Sequence, residues 1–159
     1  MKRAGANVIL VATEGGLAVT GSHGFTVTAD ITADELRKED MACIILPGGM
    51  PGTTNLAKNA RVLDLIEYAA DRGIFIAAIC AAPSILGDMR LLDGRNAAVY
   101  PEFASKLEHA NITGKKVEHD DIFITAEGMG ASFEFGFKLV EVLFGSQAAN
   151  DLRASTRYN

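Results

Sequence analysis

Two uninterrupted apolar runs constrain the architecture more than anything else in this chain. Residues 41–46 read Met-Ala-Cys-Ile-Ile-Leu, and residues 74–79 read Ile-Phe-Ile-Ala-Ala-Ile. Neither run alternates apolar with polar side chains, and each has the length of one strand. Such a run predicts a strand covered on both faces, inside a parallel sheet. Between them, Val62, Leu65, Ile66 and Ala69 fall on one stripe of a helix over 61–72. Asn59 is placed to cap that helix and Gly73 to end it. Buried strand, amphipathic helix and buried strand together predict a doubly wound α/β fold: a three-layer sandwich around a mostly parallel sheet.

The rest of the chain fits one domain over residues 1–159. Residues 7–12 read as a strand broken by Gly15-Gly16, and residues 25–28 as a short strand after a glycine turn. Thr32-Ala33-Asp34-Glu35 has capping-box spacing and predicts the start of a short helix. Helix is predicted over 81–89, and short strands over 97–100, 117–118 and 122–125. A helix over 132–143 should present Phe133, Phe137, Val140 and Phe144 on one face. Gly145 stops it, and a last helix runs to about Ala154.

Composition narrows the function classes. With 48% hydrophobic and 22% charged residues the chain can build a packed core. The net charge of −5, with basic residues scattered, gives no nucleic-acid footprint. No apolar run reaches a membrane span and no leader pattern opens the sequence, which suggests the cytoplasm. Cys43 and Cys80 form no Cys-x-x-Cys pair, so neither a disulfide framework nor a metal site is expected, and no cofactor is called for. Cys43, within the first run, reads as core packing.

Cys80 differs. It ends the second run and is followed at once by Ala81-Ala82-Pro83-Ser84. That is the layout of a nucleophile elbow, with cysteine in place of serine. The turn lifts the side chain out of the sheet, and the positive end of the next helix favours an anion at the sulfur. Gly48-Gly49 ends the first run in the same way, so both loops lie at the carboxyl edge of the sheet, where ligands bind in such folds. Bare N–H groups there, together with that of Ala81, can form an oxyanion hole, each donor worth ~3 kcal/mol. Gly-Lys-Ser/Thr is absent, so this is no P-loop. A general base is harder to choose. His119 lies among Glu118, Asp120 and Asp121, His23 sits in the polar turn Ser22-His23-Gly24, and His109 follows a short helix. Spacing does not decide among them.

The segments Ile45-Leu46-Pro47-Gly48-Gly49, Ala77-Ala78-Ile79-Cys80-Ala81-Ala82-Pro83 and Thr125-Ala126-Glu127-Gly128-Met129-Gly130-Ala131-Ser132-Phe133-Glu134-Phe135 resemble the ThiJ/PfpI family, in particular its protein-deglycase branch. Ser22-His23-Gly24 and Ala29-Asp30 are similar too, and the likeness covers nearly the whole chain. The resemblance implies a flavodoxin-like sandwich, a homodimer, and a reactive cysteine at Cys80. It puts the oxyanion donors at the backbone N–H groups of Gly49 and Ala81, and a histidine partner at His109. Because Ala81 follows the cysteine where the protease-like branch has histidine, a Cys-His protease is disfavoured.

The implied activity is glutathione-independent glyoxalase action on small aldehydes, or removal of early glycation adducts from proteins. The alternative is an oxidative-stress sensor or chaperone-like protein that uses oxidation of Cys80 without turnover, and an inactive interaction module is a third reading. Departures from the family pattern are expected to matter. Met1-Lys2-Arg3-Ala4-Gly5 resembles the end of the family's first helix, so its first strand, with a proton-transferring glutamate, is expected to be missing and apolar edges exposed. Glu127 stands where the branch often has arginine, and Met129 where it often has proline.

Overall fold

A computed structural model describes residues 1–158. In chain order the strands and helices are β1 (Val11–Ala12), β2 (Ala18–Thr20), β3 (Thr26–Thr28), β4 (Ile31–Thr32), β5 (Cys43–Leu46), α1 (Gly52–Lys58), α2 (Ala60–Arg72), β6 (Phe75–Ile79) and α3 (Pro83–Asp88). They continue with β7 (Asn96–Ala97), β8 (Asn111–Ile112), β9 (Val117–Asp120), β10 (Phe123–Ala126), α4 (Ser132–Phe144) and α5 (Ser146–Thr156).

The two apolar runs become β5 and β6, neighbours in a four-stranded sheet of order β5-β6-β10-β9. β5, β6 and β10 run parallel, and β9 closes one side antiparallel. Alternation along the strands splits the apolar side chains between two layers. Ile76 and Ala78 face Val62, Ile66 and Ala69 of α2 with Ile85 and Leu86 of α3. Ala77, Ile124 and Ala126 face Phe135 and Leu139 of α4. This is the three-layer α/β sandwich expected. α2 begins and ends as its sequence implies: the Asn59 side chain accepts from the Arg61 and Val62 N–H groups at 3.0 and 3.2 Å, and Gly73 takes φ 66°.

Three expectations change. The Thr32–Glu35 box forms its hydrogen bonds, with the Thr32 N–H and hydroxyl both donating to Glu35 Oε2 at 2.8 Å, yet it opens a turn, and only a three-residue 3-10 helix, Lys38–Asp40, comes after it. Arg61 instead donates to the carbonyls of Ala33 and Leu36, acceptors that a helix would have needed. On α4 the buried face is Phe135, Phe137, Leu139 and Val140, while Phe133 and Phe144 stay exposed. Phe133 stacks instead on Tyr158, with ring centroids 5.4 Å apart. Tyr158, the Glu134 backbone N–H and Lys116 together hold the Glu134 carboxyl down at about 2. Third, β1 and β4 pair with each other apart from the main sheet. Among the described residues β5 therefore has one open edge, and Ile9, Leu10 and Ile45 are exposed.

Buried Thr125 ties the sheet to the next segment by accepting the Ala98 N–H at 2.9 Å. Valine has the same shape but no acceptor. Thr125→Val is expected to strand that N–H and to cost about 1–3 kcal/mol. Urea unfolding measures this, and an unchanged midpoint would refute it.

Candidate active site

The carboxyl ends of three adjacent strands supply the site. Leu46 of β5 pairs with Ala78, and Ala126 of β10 pairs with Ile79, so the loops after all three strands emerge side by side. The chain turns sharply at Cys80, which adopts φ 65° although it has a side chain. Non-glycine residues hold that conformation only where their surroundings over-determine it. Here the Cys80 N–H donates to the Ala126 carbonyl at 2.9 Å, and the Cys80 carbonyl accepts from the Tyr100 N–H at 3.0 Å. The Ala82 N–H closes the turn on Ile79 O at 3.1 Å. The corner is thus tied to β10 on one side and to the end of the 97–99 segment on the other.

The Gly48-Gly49 loop lies against this corner. A Cβ on Gly48 would stand 2.5 Å from Ile79 O, 2.6 Å from Cys80 Cβ and 3.1 Å from Ala81 N. Gly49 takes φ 91°, and its carbonyl is held by the Thr53 N–H at 2.8 Å and the Thr53 hydroxyl at 3.0 Å. Among the described residues the N–H groups of Gly49 and Ala81 have no hydrogen-bond partner. The two expected oxyanion donors are thus free, in loops that touch. α3 starts at Pro83 and has six residues, shorter than expected, so its dipole adds less than a longer helix would.

The structure does not bring His109 to Cys80. After Tyr100 the 3-10 helix Pro101–Lys106 runs back along α3, and Gly87 packs under the Lys106 carbonyl. His109 therefore ends up exposed beside Gly87, Asp88 and Arg90, at the opposite end of α3 from the cysteine. His23 lies in the exposed turn between β2 and β3, and the His119 ring contacts the Asp121 carbonyl at 2.8 Å. Among the described residues no side chain hydrogen-bonds the Cys80 sulfur. The residue that sequence reasoning missed is Tyr100, whose backbone grips the corner and whose ring lies over Gly128. A signal existed: like Cys80, Tyr100 follows directly on an apolar run, 97–99, and it precedes a proline.

The two cysteines stand in different surroundings. Both are partly exposed, Cys80 at the corner and Cys43 on β5. Cys43 packs against the α4-side core, and burial pushes its thiol up to about 12. At pH 8 only about one Cys43 in ten thousand would carry a thiolate, the form that alkylates. Iodoacetamide at that pH is expected to label Cys80 and leave Cys43 intact in the native protein. Equal labelling by peptide mass spectrometry would contradict that environment for Cys43.

A sequence profile of the DJ-1/PfpI family matches residues 1–142. Protein DJ-1 homolog A of Arabidopsis thaliana is 34% identical over 156 residues, which is 96% of this chain. The chain spans 40% of that relative's length. The glutathione-independent glyoxalase DJR-1.2 of Caenorhabditis elegans is 30% identical over 132 residues, covering 82% of this chain and 70% of that one. The solved structure of oxidized Toxoplasma gondii DJ-1 superposes with a TM-score of 0.91 at 31% identity, over 99% of this chain and 86% of that one.

Proposed function

Since the chain belongs to the DJ-1/PfpI family, we propose that it detoxifies small aldehydes, or repairs the adducts they form on proteins, through Cys80. The observation that carries this reading is the strained Cys80 corner with two unpartnered N–H groups beside it. The thiolate adds to the aldehyde carbon of methylglyoxal, and the carbonyl oxygen becomes a hemithioacetal oxyanion. The N–H groups of Gly49 and Ala81 stabilise that charge, each worth ~3 kcal/mol. A proton leaves the former aldehyde carbon and one is returned to the neighbouring carbonyl carbon, giving a lactoyl thioester. Water then releases lactate and regenerates the thiol. In adduct repair the thiolate forms its C–S bond at the carbinolamine carbon as the C–N bond breaks, the amine leaves with a proton, and the same hemithioacetal results.

Tyr100, rather than His109, is the titratable residue whose backbone is tied to the corner, and we assign it the proton transfer. The reading also places the protein in a reducing compartment, the cytoplasm, where the thiol stays available. Incubation with methylglyoxal should give lactate, and prior capping of Cys80 with iodoacetamide should abolish it. Lactate formation that survives capping, or none before it, overturns the reading.

One observation favours a second reading, a redox sensor. No acid or base hydrogen-bonds the sulfur among the described residues, and oxidation to sulfinate needs none. Mild peroxide should then add oxygen to Cys80 and not to Cys43.

We also assign the protein a homodimer built on the β2–β3 hairpin. Both strands of this hairpin are exposed, and Val19 pairs directly with Val27. Leu17, Val19, Phe25 and Val27 are all exposed, Phe25 at 81%. A two-stranded hairpin needs its apolar face covered. Val27→Lys is expected to turn a dimer into a 16.8 kDa monomer in sedimentation. A wild-type protein that already sediments as a monomer removes this assignment.

A further inference from the structure

The loops that meet at Cys80 carry almost no charge. The chain reads Pro-Gly-Gly-Met-Pro over 47–51, Cys-Ala-Ala-Pro over 80–83, Ala-Val-Tyr-Pro over 98–101 and Glu-Gly-Met-Gly-Ala over 127–131. Three of these loops are fixed to the cysteine corner from outside it. A Cβ on Gly48 would strike Cys80, the Tyr100 N–H donates to the Cys80 carbonyl, and Ala126, at the start of the last loop, accepts from the Cys80 N–H. Each of the three also leaves a large apolar side chain in solvent. Met50 is 47% exposed, Tyr100 42% and Met129 86%. Their backbones are not loose. The Thr54 hydroxyl donates to the Met50 sulfur at 3.9 Å, and the Ser132 hydroxyl donates to the Met129 carbonyl at 2.6 Å. The Tyr100 ring lies over Gly128, the neighbour of Met129. A single exposed apolar side chain needs no explanation, but three on loops that converge on one thiol form a patch of the kind that marks a binding site.

The charges at this rim exclude one class of occupant. Glu127 is the only charged side chain in the four loops. The cations beside it are taken: Lys115 pairs with Glu118 at 2.7 Å and Lys116 with Glu134 at 3.1 Å. A carboxylated or phosphorylated aldehyde therefore meets a negative charge and no free cation. Methylglyoxal is uncharged, but it has only one methyl group to set against the patch. Methionine side chains are flexible and polarizable, and they mould themselves to a chain of varied shape. We propose that Met50, Tyr100 and Met129 form a subsite for the unbranched alkyl chain of an uncharged 2-oxoaldehyde, and that such long-chain aldehydes are bound in preference to methylglyoxal. The proposal rests on the aldehyde reading above and names its substrate class. The product would be the 2-hydroxy acid with the same alkyl chain.

Binding can be tested without turnover. Octanamide, acetamide and octanoate are unreactive probes that vary the chain and the charge separately. Each is titrated into the full chain, and the methyl resonances of Met50 and Met129 are followed by NMR. Octanamide should give saturable shifts at both methionines. A fully buried methylene is worth about fourfold in binding, so acetamide, shorter and only partly covered, should bind at least tenfold more weakly. Octanoate should bind at least fivefold more weakly than octanamide. Met129→Gln, which keeps the length and makes the end polar, should weaken octanamide at least fivefold. Phe144→Gln, which removes an exposed apolar side chain at the far end of α4, should leave it unchanged. Equal binding of octanamide and acetamide, octanoate bound as tightly as octanamide, or no saturable shift at Met50 and Met129 overturns the subsite. Because the probes need no reactive thiol, that failure is separate from a failure of Cys80 to turn over methylglyoxal.

Discussion

Gly48→Ala is expected to lower the stability of the protein by about 3 kcal/mol or more and to remove the reactivity of Cys80 with it. The added methyl would lie 2.5 Å from Ile79 O and 2.6 Å from Cys80 Cβ. The first contact is backbone, and the Cβ is held by the corner itself, so no flexible chain end can give way. Either β5 retreats from β6, costing core contacts around Leu46, or the corner loses its φ of 65°. For a chain of this size each kcal/mol moves the melting temperature by about 2–4 °C, so a drop of about 6–12 °C is expected. Gly49→Ala makes the comparison informative. It has open space around it but sits at φ 91°, so its cost is conformational alone, about 1–3 kcal/mol. A Gly48→Ala variant that melts with the wild type and alkylates at the same rate would show that the two loops do not touch.

Cys80→Ser is expected to cut lactate production from methylglyoxal by about a thousandfold or more. Serine keeps the size and nearly the geometry of the nucleophile, and the Gly49 and Ala81 N–H groups remain. What is lost is the anion, because a hydroxyl attacks only when a base takes its proton, and none is bonded at this position. Cys43→Ala is the matching control. It removes a thiol from the α4-side core and should lower stability modestly while leaving the rate per folded molecule unchanged. A serine variant with a tenth or more of the wild-type rate would move the chemistry away from this corner.

Much of this site could be read from the chain because its determinants are local. The runs at 41–46 and 74–79 became β5 and β6, and the residues that end them, Gly48 and Cys80, meet as expected of adjacent parallel strands. Asn59 and Gly73 bound α2 through contacts within a few residues. What escaped depends on paths through space. His109 is less than thirty residues from Cys80, but the 3-10 helix Pro101–Lys106 carries the chain away along α3 and leaves Tyr100 at the corner. The Thr32 box gave a turn because Arg61, from another element, took the carbonyls. Phe133 looked like core by periodicity, yet its partner is Tyr158 at the far end of the chain.

The open edge of β5 has a consequence for handling the protein. Among the described residues Cys43–Leu46 presents unpaired strand backbone in an apolar sequence with no charge until Asp40, and such an edge is a template for another strand. Loss of native material on storage should therefore be a bimolecular process. Its half-life should shorten in proportion as the stock is concentrated, and dilute samples should outlast dense ones at the same temperature.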